Sequence, residues 1–99
     1  MENDIIKSLK EINAQDRYNE VIFEYIVRNH PKPVYINNIG YGTGVPNDHI
    51  KTYIDQLLER QVLIHSNKKT ENHWNSSCKL YEINPQYLDI IREWFTGRK

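Results

Sequence analysis

The sequence predicts an α+β fold that is mainly helical, and three features of its 99 residues carry this prediction. Apolar residues recur at helical spacing in several segments. After Gln61 the apolar spacing shortens to that of a strand. Prolines and glycines fall between these segments, where they end helices or form turns. The length suits one compact unit, so we expect a single domain over residues 1–99.

The N-terminal region, residues 1–30, is predicted to form two helices, over about 4–13 and 16–29. The apolar stripe expected on the first consists of Ile5, Ile6, Leu9 and Ile12. The stripe expected on the second consists of Tyr18, Val21, Ile22, Tyr25 and Ile26, with Phe23 off this line. Pro31 and Pro33 stop the second helix, because a proline disfavours helix in the residue before it.

Residues 34–61 are predicted to form a short strand, a short helix, a turn and a longer helix. Glycines at positions 40, 42 and 44 are poor helix formers, so we expect a short helix, and whether 40–44 is helical or a loop stays open. Pro46 suits the first position of the longer helix, and Asn47 or Asp48 could cap it. The apolar stripe of this helix is predicted to be Ile50, Ile54, Leu57 and Leu58.

Residues 62–84 are predicted to form a β-hairpin with a long polar loop, in which Tyr81 and Ile83 share one face. Asn84 and Pro85 then open a C-terminal helix over 85–96, which Gly97 ends. This order of elements is that of a winged helix-turn-helix with additional N- and C-terminal helices, whose second motif helix enters the DNA major groove.

Polar side chains on the longer helix suggest contacts with base edges or phosphates. The candidates on this recognition helix are Asn47, His49, Lys51, Thr52 and Gln56. The candidates in the hairpin loop, the wing, are Lys68, Lys69, His73 and Asn75. A solvated helix face and a loop without a partner are the alternatives.

Two segments resemble winged-helix regulators of the ArsR and MarR type: IGYGTGVPNDHIKTYIDQLLERQVLI and, after the hairpin loop, KLYEINP. Those families place a leucine-like residue before the recognition helix, where Val45 stands here. The chain departs from them in its glycines and in its wing, where Lys68, Lys69 and His73 replace the usual arginines. In size and element order it is also similar to the TubR-like adaptors of plasmid partition.

The resemblance implies a homodimeric, sequence-specific protein that binds double-stranded DNA, with transcriptional repression as the leading role. A centromere-binding partition adaptor, which would also bind a cytomotive filament protein, is one alternative. A winged-helix module that binds another protein is the alternative from a different class. Thirteen basic and thirteen acidic residues balance, so each subunit should make few phosphate contacts and a dimer is expected.

The terminal helices could supply the dimer interface, because they carry more apolar side chains than a minimal winged core needs. The candidates are Ile5, Ile6, Leu9, Ile12, Leu88, Ile91, Trp94 and Phe95. If these side chains pair across a two-fold axis, the two recognition helices would lie about one DNA turn (~34 Å) apart. Packing of both helices within one chain is the alternative.

Other classes of protein receive little support from the sequence. It contains no nucleophile elbow, phosphate-binding loop or recognisable carboxylate pair, so we expect no enzyme activity and no cofactor. The spacing of His65, His73 and Cys78 matches no zinc motif, so no metal is expected. Apolar runs are about three residues long, against the ~20 that span a bilayer. With one cysteine and no signal-peptide pattern, a cytoplasmic protein without membrane contact is expected.

Overall fold

The structure, a computed structural model, describes residues 4–66 and 79–97. The prediction of a mainly helical α+β fold is confirmed in these two ranges. The elements in chain order are α1 (Asp4–Asn13), α2 (Arg17–Asn29), α3 (Ile36–Thr43), α4 (Asn47–Glu59), β1 (Leu63–His65), β2 (Tyr81–Ile83), a 3-10 turn (Pro85–Tyr87) and α5 (Leu88–Gly97). None of these helices is long and apolar enough to cross a membrane.

The inner face of α2 differs from the predicted stripe. Asp16 caps the helix, its carboxylate accepting from the N–H of Tyr18 at 2.8 Å. Tyr18 and Val21 were predicted to be apolar contacts, but they are 40% and 44% exposed. Phe23 is buried instead, and its ring lies 5.8 Å from that of Trp94 on α5. Because α2 packs against the C-terminal helix, its buried face differs from the face that its apolar spacing predicts.

The glycine-rich segment, for which the sequence left helix and loop open, is helical as far as Thr43, so Gly40 and Gly42 lie within α3. A helix-interior glycine costs about 1 kcal/mol relative to alanine. Packing compensates for this cost, because a Cβ on Gly42 would lie 2.2 Å from a ring carbon of Tyr25. Gly44, with φ of 77°, then ends α3, and its N–H donates to the carbonyl of Gly40 at 2.9 Å.

The connection from α3 to α4 is three residues long, Gly44 to Pro46. The prediction that Asn47 or Asp48 caps α4 is wrong, because Pro46 is the N-cap residue and no side chain bonds to this end. The predicted inner stripe is confirmed, with Leu58 partly buried and the other members fully buried. Tyr53 is buried beside them.

The sheet has two antiparallel strands in the described ranges, with Leu63 opposite Ile83 and His65 opposite Tyr81. Tyr81 and Ile83 are both buried, as their shared face predicted. The short strand predicted before α3 is reduced to one bridge, in which Val34 pairs with Tyr81. The pairing with Tyr81 does not extend to further residues because α3 begins at Ile36. The order across the sheet is therefore β1, β2 and then the Val34 bridge.

Asn84 caps the start of the C-terminal segment as predicted, but it caps a 3-10 turn, and α5 begins three residues later than expected and includes Gly97. The Oδ1 of Asn84 accepts from the N–H of Gln86 at 3.0 Å, and its Nδ2 donates to the carbonyl of Gln61 at 2.9 Å. This second bond ties the start of the 3-10 turn to the residue that follows α4. Ile91 then enters a continuous apolar core that includes residues from all five α-helices and both strands.

Candidate nucleic-acid interface

The polar residues predicted to contact DNA from α4 do not share one free face. His49 and Gln56 lie on the side of α4 that faces α2 and the residues before it. The Nε2 of His49 lies 3.0 Å from the Oδ1 of Asn19, and its ring meets that of Tyr18 edge-on. The Nε2 of Gln56 donates to the Oε1 of Gln15 at 3.3 Å. His49 therefore contacts α2, and Gln56 contacts the connection between α1 and α2.

Asn47 lies on the opposite side of α4 and contacts α3. Its Nδ2 donates to the Oδ1 of Asn37 at 3.0 Å. We call this pair the amide bridge. It borders an open cleft of about 330 Å³, the α3–α4 cleft, in which Tyr41 is 92% exposed. The lining residues of this cleft are Asn37, Gly40, Tyr41, Gly44, Val45, Pro46 and Asn47.

The outer face of α4 carries Lys51 and Thr52, which are both exposed, and their contact with DNA stays a prediction. Asp48, Asp55 and Glu59 are exposed on the same helix. Helical spacing places these acids near Thr52, with Lys51 toward the α3 side. The outermost surface of α4 is consequently acidic, and its single lysine lies at the edge that faces α3 and β2.

Lys51 lies close to a second basic residue that the site prediction omitted, Lys79, which precedes β2. Both lysines border a cleft of about 380 Å³, the α3–β2 cleft. Its lining residues are Tyr35, Ile36, Asn37, Lys51, Asp55, Lys79 and Tyr81. Two ammonium groups against one carboxylate give this cleft a net positive charge, which suits an anionic group.

The hydroxyl of Tyr81 belongs to the same region. Burial raises the pKa of Tyr81, and the carboxylate of Asp55 raises it further. The phenol therefore stays protonated at neutral pH and keeps a hydrogen-bond donor. The α3–β2 cleft accordingly combines ammonium, amide and hydroxyl groups, which are the groups that contact phosphate oxygens in proteins that bind nucleic acid.

The wing candidates Lys68, Lys69, His73 and Asn75 lie outside the described residues. Asn37, Tyr41 and Lys79 were missed by the sequence prediction. Lys79 stands two residues before β2, and its place beside this strand is visible in the sequence. Asn37 and Tyr41 could not be assigned, because the sequence left open the extent of the helix that presents them.

The apolar side chains predicted for a dimer interface pack within one chain. Five of them, Ile5, Ile6, Leu9, Ile12 and Ile91, are buried in the core. Leu88, Trp94 and Phe95 are partly buried against that core. The alternative of intramolecular packing describes their placement, because α1 contacts both α2 and α5 and these helices share one core. Homodimer formation itself stays a prediction.

In the two described ranges, no cluster of three or more His, Cys, Asp or Glu side chains is arranged to hold a metal ion. The chemistry available at the two clefts is hydrogen bonding, charge and aromatic contact. No protein-family model matches the sequence, and no curated protein matches it significantly.

Proposed function

We propose that this chain is a winged helix-turn-helix protein that binds duplex DNA through the surface formed by α3, α4 and β2. One observation supports this proposal above the others. Val34, just before α3, exchanges two backbone hydrogen bonds with Tyr81, at 2.9 and 2.8 Å. An edge strand that precedes two packed helices and pairs with the following hairpin is typical of winged folds. In that fold α4 is the recognition helix, and β1 and β2 belong to the wing.

The two clefts divide the DNA contacts between them. Lys51 and Lys79 at the α3–β2 cleft contact backbone phosphates, which give affinity without reading sequence. The amide bridge at the start of α4 lies where a recognition helix meets base edges. The surface so defined is polar and exposed, and it excludes His49 and Gln56.

Charge sets the expected strength of binding. The chain is neutral overall, and the acids on the outer face of α4 oppose phosphate. Each phosphate contact contributes about 0.9 to the slope of log affinity against log salt. Two lysines per chain therefore give a shallow slope, and a homodimer doubles it. We propose a homodimer that acts as a repressor by occupying its site.

Fluorescence anisotropy of labelled duplex DNA at increasing salt tests the proposal. Lys51→Ala and Lys79→Ala should each weaken binding for all sequences and lower the salt slope by about 1. Lys7→Ala, an exposed lysine on α1, is the matched control and should bind as the wild type does. If the wild-type protein fails to bind duplex DNA at low salt, the proposal is wrong.

The same titration, carried out with a single palindromic site and with an array of repeated sites, distinguishes the repressor role from the partition role. Occupancy of a single palindromic site favours repression. Cooperative spreading along repeats, together with binding to a filament-forming protein, favours the partition role. Both uses need the same α3–α4–β2 surface, so the lysine variants should weaken either of them.

The acidic outer face of α4 favours a second candidate, a winged-helix module that binds a basic protein surface. Asp55→Asn distinguishes the two functions, because it removes a carboxylate beside Lys51 in the α3–β2 cleft. For DNA binding this change should tighten the complex. For binding to a basic partner it should weaken the complex, since an attractive charge is lost.

A further inference from the structure

The amide bridge between α3 and α4 is built around a glycine. A Cβ on Gly40 would lie 2.7 Å from the Oδ1 of Asn47, closer than such atoms approach. The side chain of Asn47 therefore occupies space that only glycine leaves open at position 40. The bridge joins the first turn of α3 to the first residue of α4.

Among the residues that the structure describes, the bridge leaves some hydrogen-bonding groups of its two amides without a partner. The bond takes one of the two Nδ2 hydrogens of Asn47 and one lone pair on the Oδ1 of Asn37. Asn47 thus retains an N–H donor and a carbonyl acceptor on one carboxamide, and it is exposed. A carboxamide with one donor and one acceptor matches the N7 and N6 groups on the major-groove edge of adenine.

We infer that the amide bridge is the element that gives this surface its sequence specificity, and that Asn47 reads the adenine of an A·T pair. The inference rests on the proposed DNA binding. Asn37 is a positioning residue, because its Oδ1 holds the amide plane of Asn47 in one orientation. Pro46, exposed in the same cleft, provides an apolar contact for the thymine methyl group of that pair.

Gly40 is the second positioning residue, and it permits a test that removes no polar group. Alanine at position 40 favours helix, and the atom that it meets is the end of a side chain that can rotate. Gly40→Ala should therefore stay folded while it displaces Asn47 from the bridge. Gly97→Ala is the matched control, because it is also a glycine in a helix and nothing lies within 4 Å of its added Cβ.

The experiment is selection from randomised duplex DNA, carried out with the wild type, Asn47→Ala, Gly40→Ala and Gly97→Ala. We expect one position at which the wild type and Gly97→Ala require adenine and the other two variants accept any base. Replacing that A·T pair by G·C should weaken wild-type binding about tenfold or more. The same replacement should leave Asn47→Ala unaffected, and Gly40→Ala/Asn47→Ala should lose no more than either single variant.

The outcomes separate this inference from the proposed function. If the wild type binds DNA and Asn47→Ala keeps the same base preferences, the inference is wrong and the DNA-binding proposal stands. A lost preference for a base other than adenine also contradicts the inference. If the wild type binds no duplex at low salt, both fail together. Thermal unfolding of each variant confirms that it is folded at the temperature of selection.

Discussion

The Nε2 of His49 and the Oδ1 of Asn19 lie 3.0 Å apart and join the first turn of α4 to α2. The Nδ2 of Asn19 donates to the carbonyl of Ile12 at 2.9 Å, so its Oδ1 is the acceptor and His49 carries the proton on Nε2. Asn19 is only 4% exposed. This polar contact sets the position of α4 against the N-terminal helices, a structural role for a residue that the sequence assigned to DNA.

His49→Ala should therefore reduce stability more than DNA affinity. It leaves the buried Oδ1 of Asn19 without its donor, which costs about 1–3 kcal/mol. Urea unfolding measures this loss, and Thr52→Ala, at an exposed position of the same helix, should change the free energy of unfolding by less than about 0.5 kcal/mol. A His49→Ala protein of wild-type stability that has lost DNA binding would reverse this assignment.

Gly42→Ala should destabilise the fold. Its Cβ would lie 2.2–2.9 Å from three ring atoms of Tyr25, so the tyrosine must move away from α3. Overpacking of this kind costs about 1–3 kcal/mol, and alanine in place of a helix-interior glycine gains about 1 kcal/mol in helix propensity. Because three ring atoms must move, we expect the overpacking cost to exceed this gain. Thermal unfolding should show a lower midpoint than that of Gly97→Ala. A midpoint equal to that control would show that the Tyr25 ring moves freely.

Leu9→Ala should destabilise a single chain. Leu9 is fully buried in the core of one chain, and such a truncation costs about 2–5 kcal/mol. If its contacts are intramolecular, the urea midpoints of wild type and variant should differ by the same amount at every protein concentration. A difference that changes with concentration would place Leu9 in a subunit interface, because dimer stability depends on concentration.

The free energy of unfolding should fall at high pH because the phenol of Tyr81 ionises. Burial, and then the Asp55 carboxylate, raise its pKa in the folded state above the ordinary value of 10.0. Well below pH 10 the phenol is protonated in both states, and its contribution is fully present. As pH rises above 10 the unfolded chain releases this proton first, so the free energy of unfolding decreases. Tyr81→Phe should reduce this decrease between pH 9 and 11 in urea titrations; an unchanged slope would contradict the assignment.

The sequence was sufficient for elements whose local signals agree with their tertiary contacts. The apolar spacing of α4 predicted its buried face, and Asn84 was correctly predicted as a cap, although the turn it caps is 3-10. The sequence was insufficient where contacts with a distant segment determine which side chains are buried or which residues are helical. Phe23 is buried because α5 covers it, and α3 is helical through Gly42 because Tyr25 packs there.

The candidate site was harder to predict than the fold. A helical projection places His49 on the polar side of α4, but it does not show that Asn19 lies opposite. Similarly, Asn37 and Asn47 are ten residues apart and meet only because the α3–α4 connection is short. Contacts with other parts of the chain therefore determine which polar side chains of α4 remain available to bind a ligand.

The central claim is that duplex DNA binds to the surface formed by α3, α4 and β2. Two-dimensional NMR of the labelled protein, titrated with duplex DNA, tests it most directly. The account predicts that the largest amide shifts fall on Asn37, Asn47, Lys51 and Lys79, while α1 and the outer face of α2 at Val21 stay unshifted. Shifts centred on Val21, or no shifts at low salt, would contradict it.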